Sequence, residues 1–395
     1  MHVGIVELME TGHIVLAESI ARIFCSGPGN TVTIYTTAKH AGSLQFLTLH
    51  LSNLKLIPKP DEIDEKGFLS QIASTAHDRV YVVTMNRLFP EFAGWSISSP
   101  LFPVIHNLDE WFGLSLFQGF KKFMNAALQS PKLNSLVYLF KMYFVYPSFK
   151  KRILGRVKTT GGKLVVLSEA VRGELETMEI KHSTEVIPFS VFDPALAHHE
   201  SNPSSPLRIC VPGILSQYRR NYIDLLDTLE NSLDTLRDKF IIDLLGGVQP
   251  DNPLNQCDVI LKKSKKLKEL GFSIIVHNVR FIPPEEYDRE LSACDIILGN
   301  MNVVLNKFSQ YGKTKETGLP FAMIKAGKPG ILPEGYPVPE EIRSGVVTYG
   351  SYEDLAGILK ELIDNRSTVT RLQEAALVNS KRFSPEVIYK NLISN

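Results

Sequence analysis

Between Trp111 and Ser168 the chain has no Asp or Glu, while Lys121, Lys122, Lys132, Lys141, Lys150, Lys151, Arg152, Arg156, Lys158 and Lys163 accumulate there. The remainder compensates, and the formal net charge of +1 excludes a surface built throughout for nucleic acid, although local patches survive such cancellation. Cysteine is scarce: Cys25, Cys210, Cys257 and Cys294 are far apart, with no C-x-x-C pair and no His at ligand spacing. That argues against a disulfide framework or a zinc site and fits a reducing compartment. No apolar run reaches the roughly 20 residues of a membrane-crossing helix; the aromatic-rich LVYLFKMYFVYPSFKKRIL is broken by Lys141 and Pro147. The chain opens on a strand-like VGIVEL run rather than a basic, apolar, small-residue signal, which predicts no secretion. No internal repeat of fixed period is present.

What is there suits a globular protein of two or three domains: 395 residues, 44% hydrophobic and 22% charged. Apolar runs that read as buried parallel strands alternate with amphipathic segments, the pattern of α/β layering. Val3–Leu8, Thr31–Tyr35, Arg79–Thr84 and Pro103–His106 are expected strands of a first sheet, closed by Leu164–Leu167 and Glu185–Ile187. The Ser- and Pro-rich AHHESNPSSP reads as a linker. Arg208–Val211, Phe240–Leu245, Ser273–Val276, Asp295–Leu298 and Gly330–Leu332 then predict a second doubly wound domain. The expected boundaries are 1–195 for the first domain, 196–206 for the linker, 207–377 for the second domain, and 378–395 for a terminal helix that crosses back.

Tyr311–Glu334, YGKTKETGLPFAMIKAGKPGILPE, reads as an anion cradle on a short helix. Thr317 suits the N-cap, Pro320 the first turn and Gly327 the exit, which leaves backbone N–H groups free near Gly318 and Leu319. Lys313 and Lys315 stand just before them, so helix dipole, donors and ammonium groups can meet one diphosphate. Taken alone, a solvated turn entering an ordinary helix explains the same residues.

Collinear motifs along almost the whole chain resemble the GT-B glycosyltransferases, in the group 1 and family 4-like superfamily. METGHIVLAESIARIF puts Thr11-Gly12-His13 where those enzymes bring donor and acceptor to the backbone. PVIHNLDEW is similar to their strand-end His motif, LVVLSEAVRGELE to their strand-Ser-helix element, and EVIPFSVFDP to VIPNGVD. ICVPGILSQYRRNYIDLLDTL occupies the place of the VGRLxxxKG loop, and ELSACDIIL that of LYxxADV. ETGLP and AGKPGIL match EGFGLP and GxPVV, and RFSPEVIYKNLIS is similar to the closing FSWExxA helix. The resemblance implies two Rossmann-like domains facing a cleft, and transfer of a sugar from a nucleotide-diphosphate sugar.

The implied donor-binding residues are Gly12, Gly213, Ser216, Arg219, Arg220, Tyr311, Lys313, Lys315, Glu316, Thr317, Gly318 and Leu319. In this architecture the donor's nucleobase is selected largely by backbone contacts, expected near Val279–Ile282. Two departures bear on mechanism. The second Glu usual after GLP in retaining members is absent from FAMIKAG, and the Arg of VGRL falls on Ile214. The Lys of that loop falls on Arg219, with Arg220 beside it, and a guanidinium holds phosphate bidentately; equally, both arginines could lie on an exposed helix face. Retention and inversion stay open. For an inverting enzyme the candidates for the base are His13, His106 and Asp109, with Glu110 beside them; His13 and Asp109 are preferred. Glu316, matching the family's first Glu, is expected to bind donor hydroxyls, or else to serve as first-turn helix charge. GT-B enzymes need no bound divalent metal, and no DxD-like pair is placed as a ligand, so neither metal nor other cofactor is expected.

The basic, aromatic-rich stretch 111–168 could lie on anionic lipid, which would point to a lipid-linked sugar or glycolipid acceptor and a place in polysaccharide or glycolipid biosynthesis; soluble glycan and small-molecule acceptors stay open. A helix pair with a solvated basic face accounts for it equally. The expected location is cytoplasmic, or peripheral on the inner face of the membrane, with no nucleic-acid partner. Two alternatives share the architecture: a nucleotide-sugar epimerase and a non-catalytic partner subunit.

Overall fold

Strand β1 (His2–Glu7) is buried from Val3 through Glu7, as expected of a central parallel strand covered on both faces. It pairs in parallel with β2 (Thr31–Thr36) and β4 (Arg79–Val82). With β3 (Leu54–Pro58) and β5 (Leu101–Pro103) they form a sheet of order β3-β2-β1-β4-β5. Past β5, Val104 bridges Val165 in parallel and the Ile105 N–H donates to Val165 at 2.8 Å, which continues the sheet into β6 (Leu164–Val166) and β7 (Thr184–Val186).

The computed structural model describes residues 1–9, 13–112, 137, 140–197, 205–306 and 309–394. They divide into two compact units. The first holds Met1–Phe189, Thr314–Glu316 and Pro385–Asn395; the second holds Ser190–Lys313 and Thr317–Ser384. The linker reading for 198–204 and the turn at Thr11 and Gly12 lie outside the described residues.

The second unit has a six-stranded sheet of order β10-β9-β8-β11-β14-β15. Its strands are β8 (Leu207–Cys210), β9 (Phe240–Leu244), β10 (Ser273–Val276), β11 (Ile296–Leu298), β14 (Gly330–Pro333) and β15 (Val346–Tyr349). A small antiparallel pair, β12 (Val304–Asn306) and β13 (Ser309–Gln310), stands apart from it. The helix Tyr222–Asn231 shows why these segments fold as they do. Asn221 caps it through the Asp224 N–H, and Tyr222, Leu225, Leu226 and Leu229 form one buried stripe at helical spacing. Truncating one of those leucines to Ala costs about 2–5 kcal/mol.

Sequence and structure differ at the sheet edges. β3 and β15 were not expected: LKLIP is mostly half-exposed or exposed, and the first three residues of VVTY are too, so neither shows the buried run of an interior strand. The expected strand Pro103–His106 instead runs Leu101–Pro103. Among the described residues no helix is long and apolar enough to cross a membrane.

Candidate functional site

In open parallel sheets ligands gather at the carboxyl ends of the strands, where the strand order reverses. In the first unit that point lies between β1 and β4, and Glu7, the last residue of β1, occupies it. Its carboxylate accepts the Thr84 hydroxyl at 2.5 Å and the backbone N–H groups of Met9 at 2.9 Å and His13 at 3.1 Å. Glu7 is 1% exposed. Burial pushes its pKa up to about 7 while those three hydrogen bonds pull it down. The sequence reading missed Glu7; the available signal was a carboxylate ending an otherwise apolar strand.

His13 follows at the N-cap of the helix Ile14–Cys25, where its carbonyl, not its ring, accepts the first helical N–H groups. Its ring lies 4.0 Å from that of His106, centroid to centroid, and edge-on to Phe189 at 5.6 Å. His106 Nε2 donates to the Val83 carbonyl at 2.8 Å. Burial, with His13 and Lys315 beside it, pushes His106 down to about 3. His106 is therefore a neutral imidazole with one nitrogen committed to the backbone, a poor proton acceptor.

Asp109 and Glu110 do begin a helix, Leu108–Trp111. Burial, then the neighbouring Asp109, raises the Glu110 pKa, and Asn107 donates to its carboxylate at 2.9 Å. Lys150, expected on a lipid-facing surface, is instead 3% exposed: its ammonium donates to the Glu110 carbonyl and sits over the Phe89 ring, 5.0 Å from the centroid. Burial lowers its pKa to about 8. Lys150 shares the buried face of the helix Tyr146–Thr160 with Tyr146, Ile153 and Val157, while Lys151, Arg152 and Lys158 stay exposed. Lys121, Lys122 and Lys132 lie outside the described residues.

The expected cradle is divided. Thr314–Glu316 belongs to the first unit, where Asn107 bridges Lys315 and the Leu108 N–H donates to Thr314 at 2.7 Å. Glu316 accepts the hydroxyl of Ser168, the cap residue of the helix Glu169–Thr177. Lys315 thus stands beside His106 and Glu110; Lys313, counted with the second unit, is exposed. In that unit Thr317 is the N-cap of the helix Gly318–Ala326, with no side-chain cap bond, and Gly327 is its left-handed exit. A Cβ on Gly318 would meet nothing within 4 Å, so the helix start is open; Leu319 is buried beneath it.

At the reversal between β8 and β11 of the second unit, Gly213 has φ +114°, a conformation that favours glycine. Its carbonyl accepts the Tyr222 hydroxyl at 3.1 Å, and a Cβ there would lie 2.2 Å from Arg220 Nη2. The guanidinium fills the space that glycine leaves. Arg220 is 8% exposed, its Nε has no partner, and no carboxylate pairs with it among the described residues. Arg219 beside it is exposed. Ser216 is buried with its hydroxyl donated to Asn255 at 2.5 Å, and Tyr311 is buried with its N–H on Val303. No group of three His, Cys, Asp or Glu that could hold a metal occurs among the described residues.

No protein-family profile and no curated sequence matches the chain. Solved structures do. Alr3699/HepE of Anabaena, in complex with UDP, matches with TM-score 0.60 at 14% identity, over 100% of this chain and 99% of that one. Its complex with UDP-glucose gives 0.60 at 15%, over 100% and 98%. Sucrose-phosphate synthase of Thermosynechococcus elongatus gives 0.60 at 12%, over 100% and 98%. At such identities the likeness establishes the fold, and the chain has the GT-B fold of two Rossmann-like α/β domains.

Proposed function

We propose that the protein is a glycosyltransferase that moves a sugar from a nucleotide-diphosphate sugar to a glycan or lipid-linked acceptor without a divalent metal. The observation that carries this reading is Arg220: a buried guanidinium with no carboxylate partner among the described residues, at the strand-order reversal of a Rossmann-like sheet. A buried charge is normally paired, because desolvation costs several kcal/mol. A nucleotide diphosphate supplies the missing anion, and the open start of the helix at Gly318 adds N–H donors of the same sign. Bound UDP and UDP-glucose in structures of the same fold support that ligand class.

In transfer, the bond from the anomeric carbon to the β-phosphate oxygen breaks while the acceptor oxygen bonds to that carbon. The nucleoside diphosphate leaves with the electron pair, and preorganised positive charge stabilises it. Arg220 performs that role, with Lys313 and the N–H groups at Gly318 and Leu319 contributing. In an inverting reaction the acceptor's proton goes to His13. His106 packs against that ring at a tilt, and Glu7 holds its backbone. The exposed Lys151, Arg152 and Lys158 attract an anionic membrane surface carrying the acceptor. Titrating the protein with UDP, GDP and their sugars tests the reading: saturable binding of one base series is expected, and no binding of any overturns it.

A further inference from the structure

One buried side chain at the same edge of the second unit has no partner among the described residues. Asn300, two residues past β11, is 1% exposed, and neither its amide nitrogen nor its amide oxygen has a hydrogen-bond partner among them. Leaving a buried donor or acceptor unmet forfeits at least as much as a hydrogen bond gains, and buried polar groups are otherwise nearly always satisfied. The segment is not slack. The Asn300 carbonyl accepts the Asn221 N–H at 2.8 Å, Arg220 and Met301 form an antiparallel bridge, and Asn302 donates to the Arg219 carbonyl at 3.0 Å. The backbone thus pins Asn300 beside Arg220, at the β8/β11 reversal where such sheets take ligands.

The two unmet atoms have opposite needs. The amide nitrogen donates and the amide oxygen accepts. A phosphate oxygen only accepts, so it leaves the amide oxygen unmet; a hydroxyl donates and accepts, so hydroxyls on one ring meet both atoms. We infer that Asn300 binds a hydroxyl-bearing ring of the nucleotide sugar and so distinguishes that ligand from a bare diphosphate. This rests on the nucleotide-sugar reading above, and two rings carry such hydroxyls: the ribose and the transferred sugar.

Calorimetric titration of wild type, Asn300→Leu and Asn300→Ala with UDP, GDP, their 2′-deoxy forms, UDP-glucose and GDP-mannose separates the sources. For a ribose contact the variants bind nucleotide and nucleotide sugar roughly tenfold more weakly and lose the preference over the 2′-deoxy forms. For a contact to the transferred sugar the variants bind the nucleotide as wild type does and lose the extra affinity of its sugar. Ligand-free thermal unfolding gives an independent readout: Asn300→Leu, which removes two unmet polar atoms at similar volume, raises Tm. Wild-type affinities for all ligands in both variants, or a lowered ligand-free Tm in Asn300→Leu with those affinities kept, overturn the inference and leave the nucleotide reading standing. A wild type that binds none of the ligands overturns both.

Discussion

Glu7 accepts the backbone N–H of His13 at 3.1 Å from the last position of β1, so one buried carboxylate ties the strand end to the start of the next helix. It also accepts Met9 at 2.9 Å and Thr84 at 2.5 Å, and its pKa of about 7 places its titration at neutral pH. The group holding His13 in place is therefore itself proton-sensitive.

The first prediction concerns pH and stability. The folded pKa of about 7 lies above the ordinary 4.5, so between those values the folded protein binds the proton more tightly than the unfolded chain. Stability from this group is fully present below pH 4.5 and is lost as pH rises through 7, by at most about 3 kcal/mol. In urea melts the stability of Glu7→Gln relative to wild type should rise by about 2–3 kcal/mol from pH 4.5 to pH 8. A difference that does not change with pH contradicts this assignment.

The two histidines should separate kinetically. His13→Ala is expected to lower the transfer rate by about 10²-fold or more. His106→Gln, replacing a ring already neutral above about pH 3, should lower the rate less. Equal losses in the two variants would exclude His13 as the base.

How far the sequence foretold this molecule depends on burial. Interior strands such as β1, β8 and β9 are mostly apolar and buried and were legible, whereas β3 and β15 sit at sheet edges and are largely half-exposed or exposed. Helix exits set by glycine, as at Gly327, were legible because the left-handed conformation is local. Glu7 and Asn300 share the opposite property. Their significance is desolvation without adequate compensation, which depends on neighbours distant in sequence, and the residue type alone does not reveal it. Lys150 failed for the same reason: it joins a basic run in sequence but is buried against Phe89 in the fold.

That burial changes the membrane test. Flotation with anionic liposomes at low salt should be weakened by Lys151→Glu with Arg152→Glu, since both side chains are exposed. Lys150→Met should float as wild type does, with any effect appearing in thermal stability instead. A wild-type protein that stays at the bottom rules out lipid contact.

Gly213→Ala tests whether the place of Arg220 matters. The new Cβ would sit 2.2 Å from Nη2, so the guanidinium must move, and φ of +114° adds backbone strain of about 1–3 kcal/mol. Nucleotide affinity should fall together with Tm. Unchanged affinity alongside a lowered Tm would detach the loop from ligand binding.

The most direct measurement is a paired titration of wild type, Arg219→Ala and Arg220→Ala with UDP, UDP-glucose, GDP and GDP-mannose. The account predicts saturable binding to wild type, a loss of about tenfold or more in Arg220→Ala, where a charge-assisted contact worth roughly 1.5–3 kcal/mol is removed, and little change in Arg219→Ala. Wild-type protein that binds none of these ligands, or Arg220→Ala that binds as tightly as wild type, contradicts it.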